Sequence, residues 1–187
     1  LAVALLHGLT LSLLLMKWSP EAVDAPPKRL VAPSGYVRTG VGLHPHESPL
    51  PAWAVELTLG PKIVFDYPGP DALALRISPG WGMDYNPERS LEHFGLLEFG
   101  VAAELMRFFS LEYMLGGQVG TFAGRVEPAF RHGAALRFWY VIGPELQHYV
   151  TGPSASNDGR PRQVVRILLS FDLACTLYRA TGGDAGG

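Results

Sequence analysis

Three sets of residues in this chain carry side chains that could do chemistry. His148 precedes Ser154 and Ser156 in "HYVTGPSASNDGRPR", and a serine beside an imidazole is the start of an acyl-transfer centre. Such a centre also needs an acid to hold the imidazole, and the sequence sets none at a matching place. His44, His46, His93 and His148 form a second set at one end of the segments they flank. "HPHES" lacks the ligand geometry of a known metal centre, so solvated loop histidines are expected. Cys175 stands alone, which excludes a Cys-based zinc site and an intramolecular disulfide. There is no Gly-rich phosphate loop and no carboxylate dyad at helical spacing. The sequence therefore assigns no catalytic, cofactor or metal residue, and the expectation is a protein that is not an enzyme.

The third set is larger. Seven basic residues (Arg38, Lys62, Arg76, Arg125, Arg131, Arg137, Arg166) and nine acidic ones (Glu56, Asp66, Asp84, Glu98, Glu104, Glu112, Glu127, Glu145, Asp172) fall on one parity of segments that alternate polar and apolar. The opposite parity carries no charge. In "VVRILLSFDLACTLY", 164–178, one row is Val165, Ile167, Leu169, Phe171, Leu173, Cys175 and Leu177, against Arg166, Ser170 and Asp172. A period of two predicts a β-strand with one oily and one polar face. The same pattern predicts strands over 35–44, 53–67, 72–85, 94–105, 109–117, 122–131 and 135–149, making eight. No helical periodicity competes with it from Gly35 onward.

The intervening stretches, 45–52, 68–71, 86–92, 106–108, 117–121, 132–134 and 150–162, predict longer connections at one end of a meander and tight turns at the other. The opening run "LAVALLHGLTLSLLLM" has the length of the hydrophobic part of a secretory signal, ending near Ala25; an amphipathic or buried N-terminal helix is the other reading. The expected organisation is a signal over 1–25, a Pro-rich linker over 26–34, an all-β, eight-stranded antiparallel up-and-down barrel over 35–178, and a flexible tail over 179–187.

Composition narrows the partners. The net charge is -2, so there is no basic stripe for nucleic acid. Charged residues make up only 17% of the chain, and only Lys17, Lys28 and Lys62 are lysines. Water-facing surfaces are usually richer in charge. The apolar row is bulky, with Trp53, Tyr67, Trp81, Tyr85, Phe109 and Tyr140 among its members, several near strand ends where an aromatic girdle would lie. The charged row is rich in Gly, Ala and Ser, which suits a crowded lumen where Arg and Glu must pair. Lipid outside and charge inside is the expected polarity of a transmembrane barrel.

On these features the chain resembles the small eight-stranded outer-membrane barrels of the OmpA-like and OmpX-like kind. "LLEFGVAAELMRFFSLEYMLGG", 96–117, looks like their strand–turn–strand hairpin. The strand ending near Tyr178 resembles the C-terminal strand that barrel assembly machinery reads. The resemblance implies the outer membrane of a Gram-negative bacterium, a structural or surface-contact (adhesion) role, and contacts with lipopolysaccharide or a surface partner at the long loops. It implies a lumen closed by Arg38, Glu56, Arg76, Glu98, Glu104, Glu112, Arg125, Glu127, Arg137, Arg166 and Asp172. It leaves pore or closed barrel open. Two alternatives stand beside it: a soluble or periplasmic lipocalin-like barrel holding an apolar ligand, and a lipid A-modifying barrel enzyme.

Overall fold

A computed structural model gives the fold and describes residues 29–44, 48–65, 73–87, 91–106, 109–122, 125–138, 141–153, 160–174 and 177. The expected signal segment 1–25, the tail 179–187, Tyr67, Tyr140, His46, Ser154 and Ser156 lie outside these residues, as does the side chain of Glu104. Eight antiparallel strands run in order: β1 Arg29–His44, β2 Ser48–Phe65, β3 Leu73–Tyr85, β4 Glu92–Met106, β5 Phe109–Phe122, β6 Arg125–Phe138, β7 Ile142–Pro153 and β8 Pro161–Asp172. Each pairs with its chain neighbours, and β1 pairs with β8, so the sheet closes into a barrel. Closure leaves every central strand with two ladder partners and removes the sheet edge.

Period two explains the burial. Arg38, Glu56, Arg76, Glu98, Glu112, Arg137 and Arg166 are buried, while their outward neighbours Val37, Leu57, Ile77, Phe99 and Ile167 are exposed. The oily row therefore faces out. A lipocalin-like interior, which needs the opposite polarity, is not what these strands build. Glycines on the inner row make room for the long side chains opposite them. A Cβ on Gly100 would lie 2.7 Å from Glu112 Oε1, and one on Gly82 would lie 2.4 Å from the Phe94 ring.

Several boundaries differ from the sequence expectation. β1 begins at Arg29, so most of the expected linker 26–34 is strand. Residues 29–35 pair with β2 alone, since the β8 register starts at Tyr36. That one-sided stretch tolerates Pro33, which could not donate to a second ladder. The segments 117–121 and 132–134, expected as turns, lie inside β5 and β6. Two of their glycines are packing devices: Gly120 abuts the backbone of His93 and Gly133 that of Leu146, while Gln118 is buried and meets Arg131. Strand β5 ends at Phe122 and β6 starts three residues later at Arg125; β6 ends at Phe138 and β7 starts at Ile142.

The separations between strands at one end of the barrel, called here the loop end, are 45–47, 86–91, 123–124 and 154–160. At the other end they are 66–72, 107–108 and 139–141, beside the start of β1 and the end of β8. The expected contrast between long and short ends is thus partial. The longest loop-end separations, 86–91 and 154–160, correspond to the expected 86–92 and 150–162, whereas 45–52 shrinks to three residues.

β8 stops at Asp172 rather than Tyr178, and Leu173, Ala174 and Leu177 are helical. The Asp172 carboxylate takes over from the ladder: it accepts from the Gly35 backbone N–H at 3.1 Å and from Ser34 Oγ at 3.2 Å. Asp172→Ala strips a buried N–H of its acceptor and is expected to cost about 1–3 kcal/mol. The urea midpoint of the folded barrel in detergent reads this. Asp172→Asn keeps an acceptor and should recover most of the loss; an unchanged midpoint in the alanine variant would mean that backbone pairing alone holds the seam.

Candidate functional site

The barrel interior is an ion-pair lattice built from all eight strands. Arg38 on β1 occupies its middle. Its Nη1 donates to Glu56 at 3.2 Å, its Nη2 to Glu98 at 2.8 Å and its Nε to Glu145 at 3.1 Å, carboxylates from β2, β4 and β7. Toward the chain-terminal end, Arg76 meets Glu112 at 2.7 Å and Glu98 at 3.2 Å. Arg137 joins Glu112 at 3.1 Å to Glu145 at 2.9 Å. Toward the loop end, Arg131 bridges Glu56 at 2.9 Å and Glu98 at 2.8 Å, and Arg166 bridges Glu56 at 2.7 Å and Asp84. These five arginines face five carboxylates, with Lys62 also buried and acting on Glu112, and the members are almost wholly buried.

Inward aromatic rings stack the guanidinium planes. The Tyr36 ring has the guanidinium carbons of Arg38, Arg76 and Arg137 at 5.3, 4.6 and 4.5 Å from its centroid. Arg166 lies between Phe94 at 4.6 Å and Tyr149 at 4.4 Å. Cation–π contacts are worth most where water is excluded, and an arginine can stack and chelate together because its guanidinium is planar. A smaller group lies toward the loop end. There Arg162 Nη1 and Nη2 donate to Glu92 at 3.2 and 2.9 Å, and Nη2 lies 3.2 Å from His44 Nδ1.

The structure thus brings Arg38, Glu56, Arg76, Glu98, Glu112, Arg137 and Arg166 into one lattice. Asp172 is buried at the β1–β8 seam, bonded as described above. Arg125 and Glu127 do not belong to the buried lattice, a correction to the expected set: Arg125 is exposed and Glu127 half-buried. They have inward parity, but β6 pairs with β7 only from Ala129 onward, so this ribbon projects past the wall that would enclose them.

Arg131, Glu145, Asp84, Arg162, Glu92 and the three inward aromatics were outside the expected site. Parity had placed Arg131, Glu145 and Asp84 on the charged row, and it could have found Tyr36, Phe94 and Tyr149, which share the row of Arg38, Glu98 and Glu145. Arg162 and Glu92 were hidden by Pro- and Gly-rich neighbours that read as loop.

On the outer wall, Trp53 and Tyr85 are cross-strand partners near the loop end, and the Phe109 and Phe138 rings pack 4.8 Å apart at the opposite end. Trp81 lies further along β3, stacked on His93. His148, expected near the loop end, sits midway along β7 on the outer face, with its Nδ1 3.0 Å from His132 Nε2. Register explains this, since β7 runs on to Pro153. Among the described residues no three His, Cys, Asp or Glu side chains group as metal ligands.

One crevice, bounded by Glu98, Met114, Leu115, Arg131, His132, Gly133 and Gln147, has no room for a water molecule. Each carboxylate is held by fixed arginine donors, an arrangement that resists rearrangement.

No protein-family model matches the chain, and no curated protein matches it. Four chains among solved structures match. One, described as "De novo design of transmembrane beta-barrels", is 17% identical over 75% of this chain and 95% of its own, with a TM-score of 0.39.

Proposed function

We propose that this chain is a membrane-inserted barrel of a Gram-negative outer membrane, with a plugged lumen and a structural or surface-contact role. The observation that carries this is its polarity: charges buried within, large apolar side chains exposed without. Trp53 is 62% exposed, Leu59 62% and Leu57 53%, all on one strand. In water such a wall would be a standing liability for aggregation; in a bilayer it is the required surface. Strands of 12 to 18 residues exceed the roughly 9–11 tilted residues that cross a hydrocarbon core.

The paired aromatics near the two ends match the positions of interfacial girdles. With the lumen filled and the wall in lipid, recognition falls to the loop end, around 86–91 and 154–160, where residues can vary without disturbing the barrel. Lipopolysaccharide or a surface protein is the partner this reading favours, and barrel assembly machinery the route of insertion.

Flotation tests the membrane seat. Chain refolded with phosphatidylcholine–phosphatidylglycerol vesicles should float with them after a carbonate wash, with its strands protected from protease. A folded, monodisperse chain in detergent-free buffer overturns the reading.

A further inference from the structure

The outer wall of β4, β5 and β6 carries an open trough of about 560 Å³, within the range of roughly 300–1,000 Å³ typical of ligand clefts. Its sides are Leu97, Phe99, Leu115, Val119, Pro128 and Phe130, and its floor is Gly95 and Gly117. The two glycines have no packing reason to be glycine. A Cβ on Gly95 would meet nothing closer than Val119 O at 4.0 Å, and one on Gly117 nothing closer than Ala129 O at 3.8 Å. Gly116, the neighbour on the inner row, differs: its Cβ would lie 2.1 Å from Leu97 O. Neither floor glycine has a left-handed backbone. Glycine inside a strand weakens it and often marks a place that something else approaches closely. An apolar side chain at either position would strengthen the strand and fill the trough.

Polar groups lie just beyond the trough. One rung toward the loop end from Gly95 and Val119, His93 and Thr121 face outward, with the Thr121 hydroxyl 3.4 Å from both the backbone N and O of His93. Trp81, the cross-strand partner of Gly95, stacks on the His93 imidazole with ring centroids 5.6 Å apart. From the middle of the wall outward, the order is aliphatic and aromatic furrow, then indole, imidazole and hydroxyl. A phospholipid has the same order, acyl chain then ester and phosphate, and indole rings favour that boundary.

We propose that this trough retains one acyl chain of a phospholipid, whose phosphate is hydrogen-bonded at His93. The inference rests on the bilayer reading above. An unbranched chain can lie in a glycine-floored furrow without the matching relief that a second protein surface would need.

The test uses the full chain, folded in detergent and stripped of lipid, titrated with phosphatidylglycerol or with diacylglycerol of the same chains, and read by native mass spectrometry. The expected result is a first phosphatidylglycerol bound at least about tenfold more tightly than the next. Gly95→Leu with Gly117→Leu should erase that first-site preference while the heat-sensitive gel migration of the folded barrel is unchanged. His93→Ala should leave diacylglycerol binding intact and cut the preference for phosphatidylglycerol by about threefold or more. Lipids binding with no first-site preference, or a filled trough that still retains one, overturns the proposal while the barrel remains a membrane protein. A dimer that the leucine pair abolishes also overturns it, in favour of a second copy in the trough. Failure of the bilayer reading looks different, since the chain would then be soluble without detergent.

Discussion

Arg38→Ala is expected to cost about 3–5 kcal/mol of barrel stability, the usual penalty for removing one partner of a buried ion pair. The mechanism lies in what remains. Glu56, Glu98 and Glu145 all bond to the Arg38 guanidinium and are themselves wholly buried. Arg131 and Arg166 still reach Glu56, and Arg137 still reaches Glu145. The lattice is nevertheless left with five acids against four arginines, and Lys62, also buried, acts on Glu112. Arg38→Lys should recover only part of the loss, because one ammonium does not reproduce donors splayed toward three different strands. Arg125→Ala is the control: exposed and outside the lattice, it should change stability by no more than about 0.5 kcal/mol. Urea unfolding in detergent, followed by tryptophan fluorescence, measures all three. If Arg38→Ala and Arg125→Ala unfold at the same urea concentration, the lattice does not hold the barrel together.

Strand count and face assignment were legible in the sequence because both follow from a period of two within each strand. Parity runs unbroken from Arg137 on β6 to Glu145 on β7, across the three residues that separate the strands, so an error in placing the turn left the inward row intact. Turn positions were less legible, and for a related reason. "GGQVG" and "RHGA" have the composition of connections, yet Gly116, Gly120 and Gly133 sit against the backbone of facing strands, and only the closed barrel shows that close approach. Proline misled in the same way at Pro33, where β1 has one neighbour instead of two.

The lattice was legible as a set of charges and illegible as a set of pairs. Arg38 and Glu98 are sixty positions apart, and their contact depends on the stagger of the barrel, which no local pattern encodes. The two misplaced members, Arg125 and Glu127, have the right parity at the wrong height. Height is set by where β7 begins to pair with β6, a long-range property of register. Aromatic residues on the charged row, Tyr36, Phe94 and Tyr149, were the overlooked local signal. An aromatic ring among arginines on one face of a strand is a plate for a guanidinium as readily as a piece of apolar core.

Ile167→Arg puts the bilayer reading to a quantitative test. Ile167 lies midway along β8, is 52% exposed, and has Val41 and Leu146 as its cross-strand partners. If this wall meets hydrocarbon, an arginine near the midplane should cost about 2–4 kcal/mol, and one near the interface only about 0–1. Val126 supplies the second position: it is 70% exposed, on the β6 ribbon that projects past β7 at the loop end. The expected result in vesicles is therefore a large loss for Ile167→Arg and a small one for Val126→Arg, read from urea unfolding midpoints. A wall facing water predicts something else, since exposed substitutions far from special features fall within about 0.5 kcal/mol at either height. Aqueous repulsion cannot imitate the depth profile, because the nearest charge on the inner row, Arg166, is directed to the opposite face and held by Glu56 and Asp84. Equal and small effects at both positions would return the outer wall to water and leave its apolar surface in need of a protein partner.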